Sequence, residues 1–127
     1  MLIEKLKPNF EFRDERGELV QLVREGFKQV NVITSHVNMV RGGHYHKQNT
    51  EVFYIIFGKC KVVVENSKGE CEEQIFSSGD MFKIEAFVMH SFEYMEETLL
   101  ISMYDNGVEL EDRMDIYTTF DYEEQSL

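Results

Sequence analysis

Hydrophobic and polar residues alternate along this chain in short runs, and glycines or Asn/Ser/Asp clusters cut the runs apart. A period of two turns one side of a strand toward a core and the other toward water. Gly17 closes a turn after Asp14-Glu15-Arg16 and leads into an apolar run at 19–23, and a second run covers 29–37. Gly42 and Gly43 let the chain bend into a short strand bearing His44 and His46. Runs at 51–57 and 60–65 are separated by Gly58-Lys59, a bend signal. Asn66-Ser67-Lys68-Gly69 turns into 70–76, Ser77-Ser78-Gly79-Asp80 makes the next turn, and strands at 81–85, 89–95 and 98–104 complete the set. Only 108–120 has any helical pattern, and it is a weak one. This many short strands in a small chain predict an all-β sandwich or barrel, because closure protects the edges an open sheet leaves exposed.

The length of 127 residues fits one domain, 1–127, with an acidic C-terminal extension from about 106 to 127 expected to lie in solvent. A single proline, Pro8, leaves the ladders uninterrupted. The N-terminus MLIEKLKPNF lacks the apolar stretch of a signal peptide, and no run of apolar residues approaches membrane-spanning length. A cytoplasmic protein with Cys60 and Cys71 as reduced thiols is therefore expected. The net charge of −11 argues against nucleic acid and anionic membrane surfaces as partners. Arg41 and Lys47, which bracket the histidine pair, are the local exception and would tolerate a negative substrate there.

The histidines change the picture most. His44 and His46 share a strand face, Glu51 follows after room for a turn, and His90 opens a distant strand. Three imidazoles and one carboxylate are the donor set that a first-row transition metal in an N/O site uses. Such a set leaves one or two coordination positions for water or substrate. It does not choose among Fe, Mn, Ni, Zn and Cu. Strand parity turns Phe53 and Ile55 inward with Glu51, and Phe92 and Tyr94 inward with His90, which gives an aromatic-walled cavity with a metal at its floor. For Phe53, Ile55 and Phe92 taken singly, filling the core is the better reading. His36, apart from the pattern, reads as a buried structural histidine.

The spacing H-x-H-x4-E-x6-G, answered by G-x10-H, resembles that of the cupins, which are double-stranded β-helix (jelly-roll) barrels. Against their first motif, G-x5-H-x-H-x3,4-E-x6-G, the chain offers Asn38, His44, His46, Glu51 and Gly58 in register. Against the second, G-x5-P-x-G-x2-H-x3-N, it offers Gly79, Glu85, Phe87, His90 and Tyr94. The four ligand positions are kept and four supporting positions are replaced. Phe87 stands where the family has a glycine, so the turn delivering His90 is expected to be shaped differently, because a bulky residue resists positive φ.

A narrower resemblance points to nucleotide-sugar cupins. Asp14-Glu15-Arg16-Gly17-Glu18-Leu19 looks like their D-x-R-G-x-L opening. Arg41-Gly42-Gly43-His44-Tyr45-His46-Lys47 is similar to the R-G-x-H-x-H-K stretch of the dTDP-4-keto-6-deoxyhexose 3,4-ketoisomerases and to the zinc-binding cupin domain of capsular-polysaccharide sugar enzymes. Tyr104-Asp105 and Asp115-Ile116-Tyr117 echo the tails of both. The resemblance implies a sugar-nucleotide isomerase or epimerase that moves a proton beside a carbonyl, with a homodimer as the working form. The metal ligands would be His44, His46, Glu51 and His90. If the metal is held, the proton carrier must be another group, such as Tyr54, Tyr94, Tyr45 or a metal-bound hydroxide. Without metal, His44 and His46 are themselves the bases. Arg41, Tyr45 and Lys47 would bind the substrate, Arg41 by pairing its planar fork with a diphosphate. The competing readings are a non-catalytic metal- or small-ligand-binding cupin and an Fe-dependent dioxygenase.

Overall fold

Residues 1–120 are described by a computed structural model of the chain. They form eleven strands and no helix: β1 (Ile3–Leu6), β2 (Phe10–Asp14), β3 (Gly17–Gln21), β4 (Gln29–Ser35), β5 (Val40–His44), β6 (Glu51–Phe57), β7 (Lys59–Glu65), β8 (Cys71–Ser77), β9 (Met81–Ile84), β10 (Met89–Tyr94) and β11 (Thr98–Tyr104). A five-stranded sheet, β1-β9-β6-β11-β4, faces a four-stranded one, β5-β10-β7-β8, and β2-β3 stands beside them as a separate hairpin. Every pairing is antiparallel. This is the jelly-roll barrel of an all-β cupin fold. Strands β1 and β2 add to the expected set.

Alternation places the core. In β10, His90, Phe92 and Tyr94 are buried and Glu93 is exposed. In β6, Glu51, Phe53 and Ile55 face the opposite sheet, and Phe53, Ile55, Phe82, Phe92 and Leu100 share one apolar cluster. Aromatic rings run through it in contact: Phe76 on Phe82 at 4.0 Å, Phe82 on Phe53 at 5.0 Å, and Phe53 on Phe92 at 4.8 Å between centroids. Residues of the other parity, Val52, Met81 and Met103, form a second cluster on the outer face of the five-stranded sheet, roofed by Leu22, Val23 and Phe27.

Two expectations fail here. The segment after β11 is not helical, and although Glu109, Glu111 and Asp112 are exposed, it is anchored to the fold. Val108 and Asp115 are buried, Glu109 bridges Met114, and Tyr117 bridges Tyr45 across a backbone ladder. Hydrogen bonds to side chains far away in sequence, Asn49 and Gln29, hold it where a helix would need a continuous apolar face. The remainder of the acidic extension, 121–127, lies outside the described residues. Phe87 also adopts the left-handed conformation, φ 67°, as Asn38 does at φ 69°. The turn that delivers His90 thus keeps the glycine-like shape without glycine. Among the described residues no helix is long and apolar enough to cross a membrane.

Candidate metal centre and ligand cup

The two facing sheets each supply half of the site. From the four-stranded sheet come His44 and His90, which are register partners on β5 and β10, with a bulge after His90. Gly42 allows the close approach: its φ is 102°, and a Cβ there would lie 2.6 Å from the carbonyl oxygen of His90. From the five-stranded sheet come Glu51 on β6 and its register partner Tyr104 on β11. His46 follows two residues past the end of β5 and completes the ring. The imidazole centroids are 5.1 Å (His44 to His46), 4.8 Å (His44 to His90) and 5.4 Å (His46 to His90) apart. One ligand nitrogen from each of the three lies within 4.8 Å of the others.

The hydrogen bonds fix which nitrogens face inward. Nδ1 of His46 lies 2.6 Å from the carbonyl oxygen of Asp115, and Nδ1 of His90 lies 3.2 Å from that of Val88. A carbonyl only accepts, so both Nδ1 atoms donate and both Nε2 atoms are turned to Glu51. Oε1 of Glu51 is 3.2 Å from Nε2 of His46 and 3.3 Å from Nε2 of His90. Neutral rings in this tautomer would present lone pairs to a carboxylate, an arrangement that repels unless positive charge sits among them. Protons on the rings or a metal ion supply that charge equally, so the donor set fits a divalent transition metal. The outer oxygen, Oε2, accepts from the hydroxyl of Ser102.

The same contacts set the charges. Burial alone would raise the Glu51 carboxyl, but hydrogen bonds from His46, His90 and Ser102 bring it down to about 2. Burial, then the neighbouring rings of His90 and His46, lowers His44 to about 4. His44 is therefore neutral at neutral pH. Burial also pulls His46 down, yet its bonds to Glu51 and to the Asp115 carbonyl more than offset this and raise it. Tyr104 packs edge-on to His46 at 5.1 Å, and burial followed by the Glu51 charge pushes its phenol up. Burial pushes Tyr94 up as well, so both phenols stay protonated.

A cavity of about 220 Å³ opens beside this cluster. Ile33, Phe53, Phe92 and Leu100 form its apolar wall, and His44, Glu51, His90, Tyr94, Tyr104 and Arg41 supply the polar groups. Arg41 is held in place by Nε donating to Ser35 Oγ at 2.8 Å and Nη2 to the Thr34 carbonyl at 3.1 Å.

Several residues expected here lie elsewhere. Tyr54 is on the other parity of β6, in the outer cluster beneath Leu22 and Phe27. Tyr45 points away from its histidine neighbours; it is fully buried, donates its hydroxyl to the Thr119 carbonyl at 3.0 Å, and stacks on Phe120 at 4.9 Å. Alternation makes that unavoidable for the residue between two inward histidines. Lys47 lies over the Tyr117 ring at 4.2 Å and lines a separate surface hollow. His36, expected outside the site as a buried structural histidine, is instead exposed and pairs with Glu97 at 3.1 Å. Conversely, Ser102 and Tyr104 belong to the site without having been expected there. Their signal was the parity of β11, where Leu100, Ser102 and Tyr104 share the inner face opposite Glu51 and Phe53.

Comparison with known proteins fits this geometry. The family model for the polysaccharide biosynthesis C-terminal domain matches residues 12–117. The spore coat polysaccharide biosynthesis protein SpsL of Bacillus subtilis is 26% identical over 114 residues, spanning 79% of this chain and 76% of that protein. The UDP-2-acetamido-2,6-beta-L-arabino-hexul-4-ose reductase of Pseudomonas aeruginosa is 31% identical over 72 residues, which cover 56% of this chain but only 19% of that protein. Among solved structures, the sugar 3,4-ketoisomerase QdtA of Thermoanaerobacterium thermosaccharolyticum, in complex with TDP, superposes with a TM-score of 0.78 at 19% identity, covering 98% of this chain and 93% of that one.

Proposed function

The chain belongs to the polysaccharide biosynthesis C-terminal domain family, and from that premise we propose that it is a nucleotide-sugar isomerase or epimerase that transfers a proton beside the keto group of a keto-deoxyhexose. The observation that carries the proposal is the convergence of three imidazoles, Glu51, Tyr94 and Tyr104 on one small cup with an apolar wall. A cup of about 220 Å³ is smaller than the ~300 Å³ at which drug-sized ligand sites begin. It suits a sugar ring, with the diphosphate and nucleoside left outside near Arg41, whose fork is pre-set by Ser35 and the Thr34 carbonyl. The names of the relatives concern sugars throughout: a polysaccharide biosynthesis protein, a reductase of a UDP-linked hexulose and a sugar 3,4-ketoisomerase.

His44, His46, His90 and Glu51 would hold a divalent transition metal, and such an ion polarises a carbonyl or enediolate oxygen as a Lewis acid. The chain's own groups supply the rest. Tyr94 and Tyr104, kept protonated by burial, are donors that can return a proton or hold an oxyanion. The neutral state of His44 at neutral pH favours a second form of the same function, in which the metal-free ring is the base that removes the α-proton. Glu51 then serves as counter-charge to His46. The working form is a homodimer and its place the cytoplasm.

Incubation with a dTDP-4-keto-6-deoxyhexose in D2O, followed by NMR, tests the proposal. Deuterium should enter at carbons flanking the carbonyl, and the expected isomer should appear. No wash-in from a folded protein, with or without added Zn, Mn, Ni or Fe, would refute it. Metal content measured on the active fraction separates the two forms.

A further inference from the structure

Asp115 is a fully buried carboxylate outside the cup, in the segment after β11, and none of the chemistry above uses it. Its oxygens are nonetheless occupied. Oδ1 accepts from the amide of Lys47 at 2.9 Å, and Oδ2 from the amide of Gln48 and from Nδ2 of Asn49, both at 2.8 Å. Its main-chain carbonyl takes Nδ1 of His46 at 2.6 Å. One residue thus grips four consecutive positions, 46–49, on the stretch between β5 and Glu51. Asn49, itself buried, closes the knot from the other side: its Oδ1 accepts from the amides of Asn106 and Gly107, and its Nδ2 also donates to the Gly107 carbonyl. Two buried polar side chains therefore join the segment after β11 to the loop that carries His46.

We propose that Asp115 is a positioning residue for the site: by tying residues 47–49 to its side chain it holds its own carbonyl against His46, locks that ring in the Nδ1–H tautomer, and so aims Nε2 at Glu51. The reason is physical. A loop between strands has many conformers, and a neutral imidazole has two tautomers of which only one leaves Nε2 free to meet a cation or an incoming proton. A partner on the far nitrogen selects the tautomer and fixes the ring, as outer-shell partners do for metal-bound histidines. Here the partner is a backbone oxygen, which cannot be altered by substitution, so its placement rests on the side chain beside it. The inference rests on the reading that His46 works in the cup, but it concerns the ring's tautomer and not the reaction.

Long-range nitrogen–proton correlation spectra of the protein, metal-free and at mildly alkaline pH, read the tautomer directly. The wild type should show His46 in a single form with Nδ1 always protonated, whether or not Nε2 also carries a proton toward Glu51. Asp115→Ala should show both tautomers or exchange broadening at His46. Val108→Ala, a buried truncation in the same segment that leaves the knot intact, should keep the single form even if it lowers stability as much. If Asp115→Ala does not fold, Asp115→Asn takes its place, because it keeps the shape while turning one acceptor into a donor that faces another donor. A wild type protonated at Nε2 alone, or an unchanged His46 signature in the Asp115 variant, would overturn the proposal. Zinc affinity then gives a second readout, expected to fall ~10–100-fold in the Asp115 variant. A wild type that binds no metal yet shows the Nδ1–H form refutes only the metal reading and supports this one.

Discussion

The amide of Phe87 donates to the carbonyl oxygen of His46 at 2.7 Å, and it does so from a left-handed backbone conformation with φ 67°. The turn that delivers His90 is thereby bonded to the loop that delivers His46, so two of the four candidate ligands are set by one hydrogen bond. For a non-glycine residue that conformation costs ~1–2 kcal/mol. The Phe87 ring returns some of this by packing on Tyr45 at 6.4 Å.

Phe87→Gly should accordingly be close to neutral in stability, because relief of the strain offsets the lost packing and the added chain entropy. Phe87→Val should be worse than either, since a β-branched residue resists positive φ and is too small to reach Tyr45. Urea unfolding of the three proteins checks this. A valine variant as stable as the wild type would show that the turn is free to change shape.

Glu51→Gln should reduce zinc or manganese affinity by at least ~10-fold, read by metal analysis after dialysis. The amide keeps the shape but presents no charge to Nε2 of His46 and His90. Glu51→Ala should in addition lower the stability of the metal-free protein by ~3–5 kcal/mol, because it leaves buried partners without a counter-charge. Unchanged metal occupancy in both variants would remove Glu51 from the ligand set.

The pH dependence has a definite sign. His44 titrates at about 4 in the fold against an ordinary 6.5, so between these values the unfolded chain holds a proton that the folded chain refuses. Stability should therefore fall as the pH drops through this window, by at most ~1.4 kcal/mol per pH unit. Glu51, at about 2 against 4.5, extends the loss to lower pH. His46, raised, works in the opposite sense: its contribution is full below 6.5 and fades as the pH climbs through its folded value. In metal-free protein, His44→Asn should flatten the acid limb between 6.5 and 4. A variant with the wild-type slope there would mean that His44 is not the group responsible.

Gly42→Ala should be far more costly than Gly69→Ala. Both glycines have positive φ, 102° and 82°, so both variants carry backbone strain. Only at Gly42 does the new methyl meet backbone, 2.6 Å from the His90 carbonyl oxygen; at Gly69 nothing lies within 4 Å. Gly69→Ala should cost ~1–2 kcal/mol. Gly42→Ala must also push β5 from β10, and should lose metal affinity together with stability. Equal costs at the two positions would contradict the close approach.

How much of this was legible in the sequence follows from which forces leave a pattern. Alternation placed Phe53, Ile55, Phe92 and Tyr94 because a two-residue period is written directly into composition. The same rule, applied strictly, turns Tyr54 and Tyr45 away from the cup, where their proximity in sequence to Phe53 and His46 had suggested a role. Ser102 and Tyr104 were within reach of it too. Asp115 was not: one carboxylate in an acidic stretch looks like its neighbours until three donors close around it. Long-range polar contacts have no period, and the weak helical pattern over 108–120 misleads for that reason.

The last prediction concerns the second copy of the chain. Strand β4 forms one edge of the five-stranded sheet, and its outward residues Val30 and Val32 are bare, Val32 at 69% exposure. Beside Val32 on the same face lies Ile101, its register partner. The hairpin β2-β3 belongs to neither sheet and exposes Phe10, Phe12 and Leu19. An isolated hairpin is marginal by itself, and an apolar edge strand invites pairing. A net charge of −11 opposes self-association at long range, so the apolar face has to outweigh it at contact. Light scattering at micromolar concentration should give twice the chain mass, with more dimer at higher salt as the repulsion is screened. Val32→Asp combined with Phe12→Asp should return the monomer, with the β-sheet circular dichroism retained. A wild type that stays monomeric at all salt concentrations would refute the homodimer and leave the cup, which one chain builds alone, untouched.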